Sequence, residues 1–177
     1  MRVIAGSLGG RQFQSPSGHR THPMSDKARG GLFNALGDIT GLSVLDTFAG
    51  SGALAYEAIS RGADKVVAID IDKRAIDTIV SNAKELGIAD KVKAIRANVS
   101  GWLDNNPDTH FDIVLGDPPY DDVKPQLLMK LARHAKVGGV IVFSLPPTES
   151  FALPENYQLL TTKPYGDAQL IFYRKKS

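Results

Sequence analysis

Short apolar runs alternate with amphipathic segments along most of the chain. The runs are nearly continuous, which is typical of strands buried on both faces of a parallel sheet. The segments between them place apolar residues at a helical period and stop at glycines such as Gly62 and Gly87. The pattern predicts strands over 43–46, 65–70, 92–96, 111–115 and 140–145, and helices over 26–37, 51–61, 73–86, 100–105 and 125–135.

Both ends of the chain depart from this alternation. Residues 2–14 read as a β-hairpin with its turn in 6–10, while 157–163 and 169–174 read as a second hairpin around the turn 164–167. We therefore expect an α/β fold, namely a Rossmann-like, seven-stranded, mostly parallel sheet with helices on both faces and a C-terminal antiparallel hairpin. A single domain spans 1–177, divided into an N-terminal hairpin and helix extension over 1–37 and a core over 38–177.

Composition narrows the class of protein. The chain has 177 residues, of which 42% are hydrophobic, and it contains no cysteine. No run approaches the ~20 apolar residues of a membrane span, and disulfides and thiolate metal sites are excluded. His19 and His22 are close in sequence but lie in a loop without a further metal ligand nearby. We expect a cytoplasmic monomer that needs neither a metal nor a membrane.

Charge is distributed unevenly. Residues 1–31 carry five basic side chains against Asp26 alone, which is +4, whereas the remaining 16 basic and 18 acidic residues give −2. A basic arm on a weakly acidic body favours contact with a polyanion. The same uneven charge would also be found if the N-terminal arm were simply solvated and bound no polyanion.

A glycine turn follows the first core strand. Asp46 ends that strand, and Gly50-Ser51-Gly52 leads into a helix-forming stretch, the arrangement that binds a ligand in an α/β sheet. Gly50 to Ala55 also fits a dinucleotide fingerprint, but the carboxylate of Asp46 would repel a pyrophosphate. A ligand with a cationic amino acid end, such as S-adenosylmethionine, suits the turn better. The predicted contacts are Asp46, Phe48, Ala49, Gly50, Ser51 and Gly52.

Two later strand ends suggest adenosine contacts. Asp70 ends the second core strand about 20 residues beyond the turn, where a carboxylate accepts both ribose hydroxyls, and Ile71 follows it. Asp72 is better placed to cap the next helix. Asn98 follows the third strand, where its amide could face the adenine edge or form a simple Asx turn.

The fourth strand leads into Asp117-Pro118-Pro119-Tyr120. The prolines fix the backbone and remove two N–H donors, so the Pro118 carbonyl and the Asp117 carboxylate are free to accept both hydrogens of an exocyclic amine. Tyr120 can stack on the base that bears this amine. The sequence predicts that these four residues are catalytic and that Asp117 also borders the cofactor.

The combination of these motifs resembles class I S-adenosylmethionine-dependent methyltransferases that act on amino groups. The segments 1–6, 10–11, 22–29, 32–34 and 165–173 further resemble the RsmD family over nearly the whole chain. That resemblance implies methylation of guanine N2 in 16S ribosomal RNA, on a substrate closer to an assembled small subunit than to naked RNA. The chain departs from the family pattern at 22–24, at Gly30-Gly31, where Glu-Ala is usual, and at Asn98, where Asp is common.

We predict that the basic arm contacts phosphates through Arg11, Lys27 and Arg29.

Two other hypotheses for the function are a DNA adenine-N6 methyltransferase, which would normally need an added recognition domain, and a nucleotide-binding module without catalysis.

Overall fold

The computed structural model describes residues 1–17 and 23–177, so His19 and His22 lie outside the described residues. The described chain forms one mixed sheet in the order β3-β2-β1-β4-β5-β7-β6, with helices on both faces. The helices are α1 (Asp26–Leu36), α2 (Ala53–Ser60), α3 (Lys73–Glu85), α4 (Val99–Asn105) and α5 (Pro125–Arg133). The strands are β1 (Ser43–Thr47), β2 (Lys65–Asp70), β3 (Val92–Arg96), β4 (Phe111–Gly116), β5 (Ala135–Leu145), β6 (Tyr157–Tyr165) and β7 (Ala168–Lys175).

The strand order reverses beside β1. β1 pairs in parallel with β2 on one side and with β4 on the other. In an open α/β sheet, the crevice at the carboxyl ends of such strands is where ligands bind. The fold therefore brings Asp46, Asp70 and Asp117, which come at or next to the ends of β1, β2 and β4, to one edge of the sheet.

Each face of the sheet carries its own apolar core. Val44 of β1 packs with residues of α2 and α3, whereas its neighbour Leu45 packs with α4 and α5 on the other face. Both side chains are fully buried. The apolar runs of the sequence are continuous because each central strand contributes to both cores.

The N-terminal segment is less regular than the predicted hairpin. Its only β-bridge among the described residues joins Arg2 to Gln12, although the Val3 amide also donates to the Arg11 carbonyl at 2.9 Å. Val3 and Phe13 are buried, and the Phe13 ring packs edge-on against Tyr56 of α2 at 4.9 Å. Backbone hydrogen bonds from Gly10 to Val3 and from Phe13 to Met1 continue this antiparallel pairing, so the predicted hairpin is present in a short form that packs on α2.

The junction between α5 and β5 differs from the prediction. The helix ends at Arg133 and β5 begins at Ala135, so Gly138-Gly139 is not the helix stop. The register shifts between Phe111/Ala135 and Ile113/Val140, and the glycines lie in the resulting bulge. A Cβ on Gly139 would approach the carbonyl oxygens of Lys136 and Asp112 to 2.8 and 2.9 Å, which explains a glycine there.

The C-terminal hairpin is confirmed, with a shorter turn than predicted. β6 and β7 extend to Tyr165 and Ala168, leaving only Gly166-Asp167 between them. The tip of this hairpin meets α1, because a Cβ on Gly31 would overlap the Tyr165 hydroxyl. No helix of the described chain is long and apolar enough to cross a membrane.

Candidate active site

The turn after β1 has a tightly constrained backbone. Phe48, Gly50 and Gly52 have φ values of 58°, 56° and 84°, a region that favours glycine. A Cβ on Gly52 would overlap the Tyr56 hydroxyl, which itself donates to the Ser51 carbonyl at 2.7 Å. Glycine at position 52 therefore lets the turn pack closely against Tyr56 at the start of α2.

Asp70 fastens this turn to β2. One of its carboxylate oxygens accepts from the Gly50 amide and the other from the Asp72 amide, both at 2.9 Å. Each oxygen retains a lone pair for a ribose hydroxyl. Ile71 beside it is 63% exposed, an unusual position for a large apolar side chain that is consistent with contact to a flat base.

Asp72 and Asn98 both cap helices. Asp72 accepts from the Arg74 amide at 2.9 Å at the start of α3, which confirms the capping interpretation. The Asn98 Oδ1 accepts from the Gly101 amide at 3.0 Å at the start of α4. The Asx turn is therefore present, and the contact of the Asn98 amide with the cofactor stays a prediction.

Asp46 is the most unusual carboxylate of the site. It is 1% exposed, no side chain donates to its oxygens within residues 1–17 and 23–177, and the backbone amide of Ala55 in the first turn of α2 is the one donor close enough to lower its pKa. Burial raises its pKa well above the ordinary value, and the neighbouring Asp117 and Asp70 raise it further. A cationic ligand would satisfy this group, whereas a phosphate would be repelled by all three carboxylates.

The Asp-Pro-Pro-Tyr turn lies directly beyond β4. Burial raises the pKa of Asp117 to about 6, against a lowering hydrogen bond from Ser144. Tyr120 is 40% exposed, and its hydroxyl lies 2.7 Å from the Ser144 hydroxyl. Burial also raises the pKa of Tyr120 to about 12. The structure thus brings the predicted catalytic turn to the same edge as Asp46 and Asp70.

Ser144 was not predicted from the sequence. It lies at the second-last position of β5 and is 3% exposed. A serine near the end of an apolar strand is not by itself a recognisable motif. Only the strand order β4-β5, which places it beside Asp117, reveals its connection to the site.

The prediction that Arg29 contacts phosphate is wrong. Its side chain is fully buried, with Nη2 donating to the Arg2 carbonyl at 2.6 Å and Nε lying 3.5 Å from Glu57. Glu57 of α2 is also fully buried and accepts from the Ile4 and Ala5 amides at 2.9 and 3.1 Å. Arg29 and Glu57 therefore hold the N-terminal segment against α2.

Lys27 and Arg11 are exposed, as a phosphate contact requires. Lys27 lies in the first turn of α1. Arg11 donates to the Glu85 carbonyl at 3.1 Å, at the end of α3. Because α3 runs back from the catalytic edge, Arg11 lies at the amino ends of the strands. Their contact with RNA stays a prediction.

A cleft of about 730 Å³ opens at the amino ends of β2, β3 and β4, away from the catalytic edge. Its charged lining mixes both signs, Lys65, Lys91, Lys93 and Lys136 with Asp64, Asp90 and Asp112. Neither the glycine turn nor the Asp-Pro-Pro-Tyr turn lines it, so it is not the candidate active site.

Known proteins share this architecture. The family model described as conserved hypothetical protein 95 matches residues 1–174. The ribosomal RNA small subunit methyltransferase D of Buchnera aphidicola is 33% identical over 97% of this chain and 91% of its own length. The structure of yhhF from Escherichia coli superposes with a TM-score of 0.87 at 27% identity, covering 100% of this chain and 98% of that one. SMU.776, solved in complex with SAH, shares the fold at a TM-score of 0.71 and 15% identity, over 84% of this chain and 48% of its own.

Proposed function

The chain belongs to the RsmD family, and from that premise we propose that it methylates the exocyclic N2 amine of a guanine in small-subunit (16S) ribosomal RNA. Its cofactor is S-adenosylmethionine. The observation that supports this best is the buried carboxylate of Asp46, to which no side chain of the described residues donates, with Asp70 and Asp117 beside it. A site of three carboxylates favours a cationic cofactor over a dinucleotide or a nucleoside triphosphate.

The residues present fit such a cofactor. Asp46 would receive its amino group, Asp70 its ribose hydroxyls and the exposed Ile71 its base. The glycine turn lets the main chain approach the ligand closely. When bound, S-adenosylmethionine supplies an electrophilic methyl group on a sulfonium.

The Asp-Pro-Pro-Tyr turn then acts on the target amine. Its lone pair is delocalised into the base, so it is a weak nucleophile. By accepting its two hydrogens, the Asp117 carboxylate and the Pro118 carbonyl would direct the lone pair at the methyl carbon. Asp117 or water would take up the proton that the amine nitrogen releases on methylation. Most of the rate gain comes from this positioning.

The target base must leave its stack to reach Asp117. This is easiest in a loop or a single-stranded segment of RNA. Tyr120, which is 40% exposed beside Asp117, offers a ring for that base. The family resemblance favours an assembled or assembling small subunit as the substrate.

Replacement of Asp117 tests the chemistry. We expect Asp117→Ala to bind the cofactor normally and to lose about 10²–10⁴-fold in methyl transfer. Because the accepting form is the carboxylate and its pKa is about 6, wild-type activity should fall as the pH drops through about 6. Asp117→Asn keeps one acceptor oxygen without a proton-accepting charge, so its activity separates orientation from proton uptake.

The assay uses labelled methyl groups on small subunits and on naked 16S RNA from cells that lack the protein, with mass mapping of the modified nucleotide. Asp122→Ala is the matched control, because Asp122 is an exposed carboxylate in the same loop. A modified adenine, DNA as the better substrate or unchanged activity in Asp117→Ala would each contradict the proposal.

A further inference from the structure

Tyr120, Ser144 and Asp117 form a connected polar group at the catalytic edge. The hydroxyl oxygens of Tyr120 and Ser144 are 2.7 Å apart. Gly116 of β4 pairs with Phe143 of β5, so the next residues, Asp117 and Ser144, are neighbours across the two strands. Ser144 is 3% exposed, which shields its hydrogen bonds from competition by water.

The direction of these hydrogen bonds follows from the hydrogens available. A carboxylate only accepts, and a serine hydroxyl has a single hydrogen to donate. When the single Ser144 hydrogen is directed at the neighbouring Asp117 carboxylate, the Tyr120 hydroxyl becomes the donor in its 2.7 Å contact with Ser144. The buried serine links the side chains at the two ends of the Asp-Pro-Pro-Tyr turn.

Building on the proposed function, we propose that Ser144 is a positioning residue for methyl transfer, whose hydroxyl holds the Asp117 carboxylate and the Tyr120 phenol in one fixed arrangement around the target base. A carboxylate with one oxygen held by Ser144 presents the other to the amine. The Tyr120 ring, held at its hydroxyl, keeps one face available for stacking on the target base. Both effects lower the number of arrangements that the turn must sample before the reaction.

The charged groups that face this network are acidic. Asp46 and Asp70 lie at the ends of the neighbouring strands, and Asp167 at the hairpin tip acts on Tyr120. Burial raises the pKa of Asp117, and the Ser144 hydrogen bond opposes that rise. Loss of the serine hydroxyl should therefore move the acid limb of the activity profile to higher pH.

Ser144→Ala tests this proposal, and Ser43→Ala is its control. Ser43 is also buried, and its hydroxyl donates to Asp112 at 3.1 Å at the opposite end of the same sheet. We expect Ser144→Ala to lower kcat about 10- to 100-fold, to leave the KM for the cofactor unchanged and to shift the acid limb upward. Ser144→Thr, which keeps a hydroxyl, should restore much of the rate, and Ser43→Ala should match wild type.

A substrate-free measurement separates this inference from the proposed function. Carbon-13 NMR titration of the Asp117 carboxyl should show a higher pKa in Ser144→Ala than in wild type or Ser43→Ala. An unchanged Asp117 titration, or an unchanged kcat and pH profile, would overturn the positioning role. If wild type fails to methylate 16S RNA while the Asp117 titration still moves in Ser144→Ala, the proposed substrate is wrong and the link between Ser144 and Asp117 stands.

Discussion

Asp46 combines full burial with two oxygens to which no side chain in the described part of the chain donates, and the Ala55 amide is the one donor that acts on them. A side chain that only supports a fold is normally paired when it is buried. Here the free-energy cost of burying a carboxylate falls on one residue, Asp46, whose neighbours are also acidic. The native structure without ligand is therefore less stable than the same structure would be with a neutral group at this position.

Asp46→Asn should separate stability from binding. The folded-state pKa of Asp46 is raised, so its carboxylate destabilises the fold at neutral and alkaline pH and this effect fades as the pH falls towards the unfolded-state value. We expect the ligand-free variant to melt at a higher temperature than wild type at pH 8 and to lose the stabilisation by S-adenosylmethionine. Thermal melts with and without cofactor, at pH 5 and pH 8, measure both effects.

The exposed Asp77→Asn is the control for Asp46→Asn, because it removes one carboxylate without removing a buried charge. An Asp46→Asn protein that melts below wild type at pH 8 would contradict the idea that this carboxylate is strained. Retained cofactor stabilisation would show that another group receives the cationic end of the ligand.

Helix α2 is the element that connects the N-terminal segment to the site. Its first residues follow the glycine turn, and Glu57 at its middle accepts from Ile4, Ala5 and Arg61 while facing the buried Arg29 of α1. The interface is a buried ion pair with additional hydrogen bonds. Such pairs are strongly destabilising when only one partner is removed.

Glu57→Ala should lower the free energy of unfolding by about 3–5 kcal/mol, because it removes the buried carboxylate beside Arg29 and the acceptor of the Ile4 and Ala5 amides. Arg29 then keeps only the more exposed Asp26, at 3.1 Å. Urea denaturation measures this loss, and hydrogen exchange at the Ile4 and Ala5 amides should accelerate. Asp77→Ala, which breaks the exposed Lys73–Asp77 pair, should change little. A Glu57→Ala loss as small as that of Asp77→Ala would place the Arg29 charge outside the core.

Elements with a strong local pattern could be predicted from the sequence. The strands that became β1, β2 and β4 are apolar runs because both of their faces are buried, and the glycine turn is recognisable because its backbone excludes side chains. The start of β5 could not be predicted, since Gly138-Gly139 forms a bulge that resembles a helix stop. Arg29 and Ser144 depend on partners far along the chain, Glu57 and Tyr120, and no local pattern encodes those contacts.

At the scale of the whole molecule, charge separates two surfaces. Arg11 and Lys27 are exposed basic side chains of the N-terminal segment, whereas the catalytic edge gathers Asp46, Asp70 and Asp117. A polyanion is attracted to the first surface and repelled by the second. Binding of RNA through the arm would therefore leave only the extruded base to enter the acidic site.

The salt dependence of the affinity for RNA should show which arm residues contact RNA. We expect Lys27→Gln and Arg11→Gln each to lower the slope of log affinity against log salt by ~0.7–0.9. Lys136→Gln, an exposed change at the bulge of β5, should leave the slope unchanged, and none of the three should alter cofactor affinity. An effect of Lys27 alone would confine the interface to the start of α1, and an effect of neither would leave the arm without RNA contacts.

The order of the last strands has a consequence for folding during translation. β7 is made after β6 but lies between β5 and β6, where it pairs with both. During translation, β6 therefore lacks the neighbour that it has in the native sheet until β7 has left the ribosome, and its backbone donors stay unpaired. Nascent chains that stall between these strands would be natural clients for chaperones, since β6 is unpaired until β7 inserts between it and β5.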